Sequence, residues 1–500
     1  MTPLRTVLVA NRGEIARRVF AACRLLGVRS VAVCSEPDLG SSWSQSADAV
    51  VALPGESARD TYLNIDAVLA AAHSAGADGI HPGYGFLSEN ADFADACTAA
   101  GIAFVGPSAA AMRALGSKVG ARQAAEAAGV PVVPGVDGAG HSVASLATEA
   151  ARIGYPVLIK ASAGGGGRGM RVVRQASDFP AALQAAQTEA LSAFGNDHML
   201  LERYFDRVHH VEVQVLGDLH GHVVHCFERE CSVQRRHQKL IEESPSPIIT
   251  PALRGEMTRA AVALAQQVGY ASAGTVEFLV DESGAFYLLE MNTRLQVEHP
   301  VTELVTGLDL AAWQIRIAGG EPLAFTQADL VQRGHAMECR IYAEDPARDF
   351  LPSMGMLALY RPPSGPGVRV DDGVASGSIV SPFYDALLAK VITFGWDRHE
   401  ALARMRQALA ETIVLGITCN IPYLQAVLDS PEFVAGEADT RFLDRAFADW
   451  QPAAVADDDA WLAMAALETL PGARQYGSEA GAGVEHPDPW ATPDGWRNVP

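Results

Sequence analysis

Glu277, in Gly274-Thr-Val-Glu277-Phe-Leu, and the stretch Tyr287-Leu-Leu-Glu290-Met-Asn292-Thr-Arg294-Leu-Gln296-Val-Glu298-His299-Pro gather carboxylates, amides and a guanidinium into one short region. Apolar runs at 276–280 and 285–289 flank Asp281-Glu-Ser-Gly284, which predicts two antiparallel strands joined by a short turn. If the turn is centred on Ser283-Gly284, Glu277 and Glu290 face each other across the ladder. Carboxylates about 5 Å apart on adjacent strands repel and destabilise the sheet unless a positive charge sits between them. The hard oxygens of Glu277 and Glu290, with Asn292 two residues on, suit Mg²⁺ or Mn²⁺ that completes its shell with water and nucleotide phosphates. Calcium fits less well, because it has no dedicated ligand loop here. Arg294 and Glu298 add an anion site beside the metal site.

The elements that must position these groups follow from composition and pattern. A chain of 500 residues with a 49% apolar fraction buries more than one core, so two to four subdomains are expected. A net charge of −21 argues against a nucleic-acid or anionic-membrane partner. With neither a basic-then-apolar leader nor a membrane-length apolar run, a cytoplasmic protein is expected. The seven cysteines are scattered without a CxxC pair and read as reduced, buried small hydrophobes. Cys226, Cys231, His225 and His237 are spaced too irregularly for zinc.

Residues 6–10, a turn at Asn11-Arg12-Gly13-Glu14, an amphipathic helix at 15–26 and a strand at 30–34 make a βαβ unit. Further alternation through 65–75, 79–80 and 103–105 predicts an open parallel sheet with helices on both faces over residues 1–115. His81-Pro-Gly-Tyr84-Gly-Phe-Leu-Ser-Glu89-Asn90 follows a strand, at the carboxyl edge where ligands bind such sheets. A helix at 117–128 leads into a smaller α/β segment, in which Tyr155-Pro-Val-Leu-Ile-Lys160 ends on a lysine ahead of the glycine run Gly164–Gly169. That run matches GxGxxG, but it leads into a strand, so it is no dinucleotide fingerprint. It suits a hairpin lid whose bare N–H groups close over phosphates, with Lys118 and Lys160 as nucleotide-side cations. Leu200-Leu-Glu202-Arg203-Tyr-Phe205 reads as a hinge presenting backbone groups to a base. His210-Val-Glu212-Val-Gln-Val reads as an alternating strand. The charge-dense 227–239 is either a solvated face or a loop folded into a cleft. A strand at 336–340 carries Arg340, a helix spans 398–411, and a further helix is expected at 459–470 within a flexible tail.

These pieces resemble the ATP-grasp ligases. Val9-Ala-Asn-Arg-Gly-Glu-Ile-Ala16, the His81–Asn90 block, Glu228-Arg-Glu-Cys-Ser-Val-Gln234-Arg-Arg-His237-Gln-Lys239 and Glu290-Met-Asn-Thr-Arg-Leu-Gln-Val-Glu-His-Pro300 are similar, in order and spacing, to biotin carboxylase from about residue 5 to 446. The resemblance implies an α/β fold with an N-terminal open parallel-sheet domain (1–115), an ATP-grasp domain (116–330) with a lid at about 131–203, a C-terminal α+β domain (331–446) and a linker or tail (447–500). It implies that ATP and bicarbonate form carboxyphosphate, which breaks down and carboxylates biotin N1′, the first half-reaction of an acyl-CoA carboxylase. Lys118, Lys160, Gly165, Gly166, Gly167, Glu202, Arg203, Phe205, His210, Gln234, His237, Glu277 and Glu290 would contact ATP. Glu277, Glu290 and Asn292 would hold the metals, two Mg²⁺ or Mn²⁺ ions. Arg294, with the Gln296 and Val297 backbone, would hold bicarbonate while Glu298 takes its proton; Lys239 would contact developing phosphate, Arg340 would stabilise the ureido oxygen of biotin, and Tyr84 would line that pocket.

No Met-Lys-Met-type biotinylation segment occurs. Biotin would therefore arrive on a separate carrier protein or on a missing C-terminal domain; Asp488-Pro-Trp490-Ala-Thr-Pro-Asp-Gly495-Trp496-Arg497 resembles the linker of biotin-bearing α subunits. A carboxyltransferase partner and a homodimer are expected, and the final acyl acceptor is left open. The alternatives are another ATP-grasp ligase, such as one making carbamoyl phosphate, and a nucleotide-binding subunit without turnover.

Overall fold

In the computed structural model, which describes residues 3–162, 170–236 and 238–452 apart from the side chains of Lys118 and Phe194, strand order turns on Thr6–Val9. Its Val7, Leu8 and Val9 are fully buried, and it pairs in parallel with Arg29–Cys34 on one side and Gly79–His81 on the other. Ala49–Ala52 and Ala103–Phe104 complete the five-stranded parallel sheet. The switch point brings two loops together at the carboxyl edge. There Asn11 Nδ2 donates to the carbonyls of Pro82 and Tyr84, both at 2.7 Å. The first helix, Gly13–Leu26, begins two residues earlier than the sequence predicts, and so takes Glu14 into its first turn, where the N-terminal dipole favours a carboxylate.

A second, larger sheet carries the chemistry. Its eight strands run Phe286–Asn292, Ser272–Asp281, Val208–Gly217, Val223–Arg235, Gln238–Ser244, His335–Tyr342, Leu387–Gly395 and Val368–Asp372, antiparallel throughout. Gln238–Ser244 pairs directly with His335–Tyr342, so the sheet is continuous across residues 330/331. One compact unit spans Met1–Trp450. A third sheet, Gly135–Asp137, Met199–Arg203, Val157–Ala161 and Arg171–Val173, packs with helices Val143–Ile153 and Phe179–Phe194 over its own core of Leu146, Val157, Ile159, Phe179, Leu183 and Leu201. The glycine run with Gly165, Gly166 and Gly167, His237, the Lys118 side chain, the helix expected at 459–470 and the stretch ending at Arg497 lie outside the described residues.

The charge-dense stretch 227–239 is neither a solvated face nor a cleft loop. It is most of a strand, Val223–Arg235, and the start of its hairpin partner, Gln238–Ser244. The charges are accommodated because each finds a partner: Arg254 grips Glu228 at 2.7 Å, and Glu230 accepts from Ser246 Oγ at 2.6 Å. Arg229, wholly buried, donates to Glu212 Oε1 (2.5 Å), Gln214 Oε1 and Thr302 Oγ1 (both 2.8 Å) and Thr275 Oγ1 (3.0 Å). The alternation expected at 210–215 is likewise replaced by burial on both faces. A buried charge is tolerated only when fully paired.

At Gly373, just past the edge strand Val368–Asp372 of the eight-stranded sheet, a Cβ would meet Gly13 Cα and Glu14 N at 2.7 Å, so only glycine lets that edge approach the first helix this closely. Replacing Arg229 by methionine, which leaves Glu212 buried without its guanidinium, is expected to lower the unfolding free energy by about 3–5 kcal/mol. A denaturant midpoint unchanged from wild type would contradict it.

Candidate active site

The turn at 281–284 sets the register: Glu277 pairs with Glu290 and Thr275 with Asn292. An irregularity between Glu277 and Phe278 sits beside the carboxylate pair. Glu277 is buried and Glu290 exposed. Although Glu290 is exposed as a residue, its carboxyl group is partly desolvated by its surroundings, and this first, then the charge of Glu277, lifts it above its ordinary value. This is the repulsion that a cation at the pair would relieve.

Glu277 itself is already compensated from the other side. Its Oε1 accepts from Lys239 Nζ at 2.9 Å and from Gln296 Nε2 at 3.0 Å, and its Oε2 lies 3.1 Å from His210 Nε2. Burial pushes the Glu277 carboxyl up, but Lys239 and His210 overcome it and hold the group below its usual range. Lys239 comes from the hairpin strand and also donates to Glu212 Oε2 at 2.5 Å and Glu298 Oε1 at 2.6 Å. Three carboxylates outweigh the burial of its ammonium and keep it charged. The ligand atoms of His210, Glu212 and Glu277 lie within 4.8 Å of one another, as do those of Glu212, Cys231 and Glu298, and Lys239 supplies a positive charge to both groups.

Glu298 is fully buried at the start of helix His299–Thr306 and shares its second oxygen with Arg340 Nη2 at 2.9 Å. Burial opposes its charge, yet Lys239 and then Arg340 hold its carboxyl well below the ordinary range. Arg340 Nε donates to Glu242 Oε1 at 2.5 Å. Despite that bond, burial drives Glu242 up to about 7, with Arg340 opposing the rise and Glu298 adding to it. Glu338, two residues before Arg340 on the same strand, makes no ion pair with it: both Glu338 carboxylate oxygens are buried without a hydrogen-bond partner.

Arg294 does not pair with Glu298 either. Its Nε donates to Glu89 Oε2 (3.0 Å), its Nη2 to Asn292 Oδ1 (2.9 Å) and its Nη1 to Gln296 Oε1 (3.2 Å). Glu89 also accepts from the Thr293 N–H at 3.0 Å, which ties the first sheet's edge loop to this segment. The donor set fits a hard divalent ion: Glu277 and Glu290 offer opposed carboxylates, and Asn292 is a buried amide whose Nδ2 has no partner. The Asn292 oxygen is occupied by Arg294, so it would ligate only on turning away from that guanidinium.

The nucleotide-side candidates cluster on the third sheet and its exit. Lys160 Nζ meets Glu202 Oε2 at 2.5 Å, both largely buried. Phe205 stacks on Tyr287 with ring centroids 5.2 Å apart, beneath the Arg203 guanidinium at 5.5 Å. Gln234 Nε2 lies 3.4 Å from His210 Nδ1. Tyr84 donates to Glu14 Oε1, and Glu14 Oε2 lies 3.2 Å from Lys390 Nζ. Lys390 in turn donates to the Val297 carbonyl at 2.8 Å. Sequence reasoning did not name Glu242, and it read Glu89, Glu212, Arg229 and Lys390 within their stretches without giving them a role in the site. The available signal was charge inside otherwise apolar strands.

A sheet bearing opposed carboxylates and a lysine, and a smaller sheet bearing a buried Lys160–Glu202 pair, define an ATP-grasp ligase. Residues 117–326 match the ATP-binding domain of the carbamoyl-phosphate synthase L chain, 3–112 the biotin carboxylase N-terminal domain and 338–445 the biotin carboxylase C-terminal domain. The chain belongs to the biotin carboxylase family. It is 49% identical to the biotin carboxylase of Nostoc sp. over 437 residues, covering 87% of this chain and 98% of the relative. It is 50% identical to the mitochondrial methylcrotonoyl-CoA carboxylase subunit alpha of Oryza sativa over 441 residues, 88% of this chain but only 60% of that protein. Among solved structures, the biotin carboxylase domain dimer of the 2-oxoglutarate carboxylase of Hydrogenobacter thermophilus, in complex with MgADP, ADP and bicarbonate, superposes with a TM-score of 0.86 at 44% identity, covering 91% of this chain and all of that one.

The elevated Glu242 carboxyl has a measurable consequence. Its folded value of about 7 lies above the ordinary 4.5, so its contribution to stability is present at low pH and lost as pH rises through that interval. Between about pH 4.5 and 7.5, wild type should lose thermal stability relative to Glu242→Gln. A constant difference between the two melting curves across that range would contradict this.

Proposed function

We propose that this chain activates bicarbonate with ATP and carboxylates N1′ of biotin presented on a carrier, as the first half-reaction of an acyl-CoA carboxylase. The observation that carries the assignment of roles is the shared Glu298 carboxylate, bonded on one oxygen to Lys239 and on the other to Arg340. A proton acceptor and a stabiliser of developing negative charge are thereby joined directly.

Lys160, Glu202, Arg203, Phe205, His210 and Gln234 line the nucleotide side, and by the resemblance to biotin carboxylase Lys118, Gly165, Gly166, Gly167 and His237 would contact the nucleotide as well. Glu277, Glu290 and Asn292 would hold Mg²⁺ or Mn²⁺, and the bound ion would neutralise phosphate charge. Bicarbonate enters the anion site at Arg294, releasing that guanidinium from Glu89 and Asn292, and lies against the Gln296 and Val297 backbone. Its oxygen attacks the γ-phosphorus, giving carboxyphosphate and ADP, while Glu298 takes the proton and Lys239 faces the phosphate. Carboxyphosphate separates into CO₂ and phosphate, the released phosphate takes the N1′ proton, and the nitrogen attacks CO₂. Arg340 stabilises the ureido oxygen that carries charge in between, with Tyr84 on the same side. A lowered Glu298 pKa makes the carboxylate a weak base at rest. Movement of Arg340 from Glu298 to the ureido oxygen would strengthen it as biotin arrives.

The similarity to a methylcrotonoyl-CoA carboxylase α subunit supports an acyl-CoA acceptor. A 2-oxo acid is the second reading, favoured by the likeness to a 2-oxoglutarate carboxylase domain, whose dimer also supports a homodimer here. A carrier protein or domain and a carboxyltransferase complete the assembly.

Bicarbonate-dependent ADP release in the presence of Mg²⁺, measured with and without free biotin, tests the reading. Arg340→Ala should keep bicarbonate-dependent ADP release and lose its stimulation by biotin, a loss of roughly a hundredfold in coupled rate. Glu298→Ala should lose both. Turnover indifferent to biotin but stimulated by ammonia would instead assign a different ATP-grasp ligase. Chelation by EDTA should abolish ADP release and added Mg²⁺ restore it; activity that survives chelation would remove the metal role from Glu277 and Glu290.

A further inference from the structure

In the proposed function bicarbonate lies against Gln296-Val297-Glu298, and the roles inferred for the residues behind that segment rest on this reading. An amide N–H points wherever its peptide plane points, because the peptide unit is rigid. An anion site built from backbone therefore depends on what holds the planes from behind. The plane between Gln296 and Val297 is held through the Gln296 carbonyl, which accepts from the His299 N–H at 3.3 Å and from the His299 ring at Nδ1, 2.7 Å away. A carbonyl oxygen only accepts, so Nδ1 carries the ring proton.

His299 is completely buried, and burial, then Lys390 and Arg18, keep its pKa well below 6.5, so the ring is neutral. Its Nε2 is buried without a hydrogen-bond partner, and Glu303 is 3.9 Å away. A polar ring that leaves one nitrogen unsatisfied is costly in a core, and its one strong bond goes to the turn that presents the anion site.

The next plane, between Val297 and Glu298, is held through the Val297 carbonyl by Lys390 Nζ at 2.8 Å. Lys390 is also fully buried, and Glu14 at 3.2 Å and Asp371 at 3.6 Å balance its charge. Two successive planes are thus fixed by two buried donors from different parts of the fold, one in helix His299–Thr306 and one in strand Leu387–Gly395.

We propose that His299 and Lys390 are positioning residues of the bicarbonate site, which lock these two peptide planes so that the Val297 N–H and the Glu298 carboxylate stay aimed at the anion. Neither touches the anion itself. Their removal should therefore weaken bicarbonate binding while leaving the nucleotide side unaffected.

The test is steady-state ADP release by the full chain, varying bicarbonate and ATP separately. His299→Leu, which removes the donor and no charge, should raise the KM for bicarbonate by about tenfold, the worth of one well-placed hydrogen bond, and leave the KM for ATP within about twofold. His299→Asn, which returns an N–H near the Nδ1 position, should recover most of that loss. Lys390→Met should move the bicarbonate KM in the same direction, and its melting temperature is measured alongside because Glu14 and Asp371 lose their cation. If one of these variants does not fold, the remaining ones decide the matter. An unchanged bicarbonate KM, a parallel rise in both KM values, or no recovery in His299→Asn would overturn the inference. A wild type whose ADP release ignores bicarbonate would instead remove the reading beneath it, and the inference with it.

Discussion

The ammonium of Lys239, 2.5 Å from Glu212, 2.9 Å from Glu277 and 2.6 Å from Glu298, is the contact on which the site's electrostatics rest. Three carboxylates with side chains no more than 6% exposed would expel one another or take up protons without it. With it, Glu277 and Glu298 stay ionised below their usual range, as the metal and proton roles proposed for them require. Arg229 and Arg340 extend the same alternation of charge in both directions, to Glu212 on one side and Glu242 on the other. The polar network is therefore inseparable from the sheet, since each of these groups projects from a strand or from the start of a helix packed against one.

Such a network constrains chemistry as well as stability. A carboxylate held by two cations, as Glu298 is by Lys239 and Arg340, is a poor base until one of them is drawn off, and in the proposed reaction that cation is Arg340. In the same way Arg294, divided between Glu89, Asn292 and Gln296, must release partners to receive an anion. Lys239, Glu277, Glu298 and Arg340 are thus paired with one another at rest, and in the proposed reaction each substrate replaces an internal contact with one of comparable strength. This limits the penalty of carrying so many charges in a dry interior.

Much of this was legible in the chain. The turn at 281–284 fixed the pairing of Glu277 with Glu290, because a hairpin's register follows from its turn. The parallel order of the first sheet and the helices at Ile65–Ala75 and Arg398–Glu411 followed from periodicity and caps; Asn64 and Asp397 each accept from the third residue beyond. The hairpin at Val223–Arg235 was misread, because density of charge ordinarily signals solvent. Here each charge is neutralised by a residue distant in sequence, such as Arg229 by Glu212 and Glu228 by Arg254. The contacts of Glu242, Glu89 and Lys390 were hidden for the same reason: their partners lie 98, 205 and 93 residues away, and no local pattern encodes such meetings.

The continuity of the eight-stranded sheet across residues 330/331 divides the site by stiffness. Glu298, Lys239 and Arg340 are tied to one unbroken hydrogen-bonded ladder, whereas Lys160 and Glu202 belong to a separate four-stranded layer with a core of its own. A change of packing in the small layer can therefore shift Lys160 and Glu202 while leaving the ladder that holds Glu298, Lys239 and Arg340 undisturbed. The two groups of residues thus owe their positions to different things, one to a small core and the other to a long ladder.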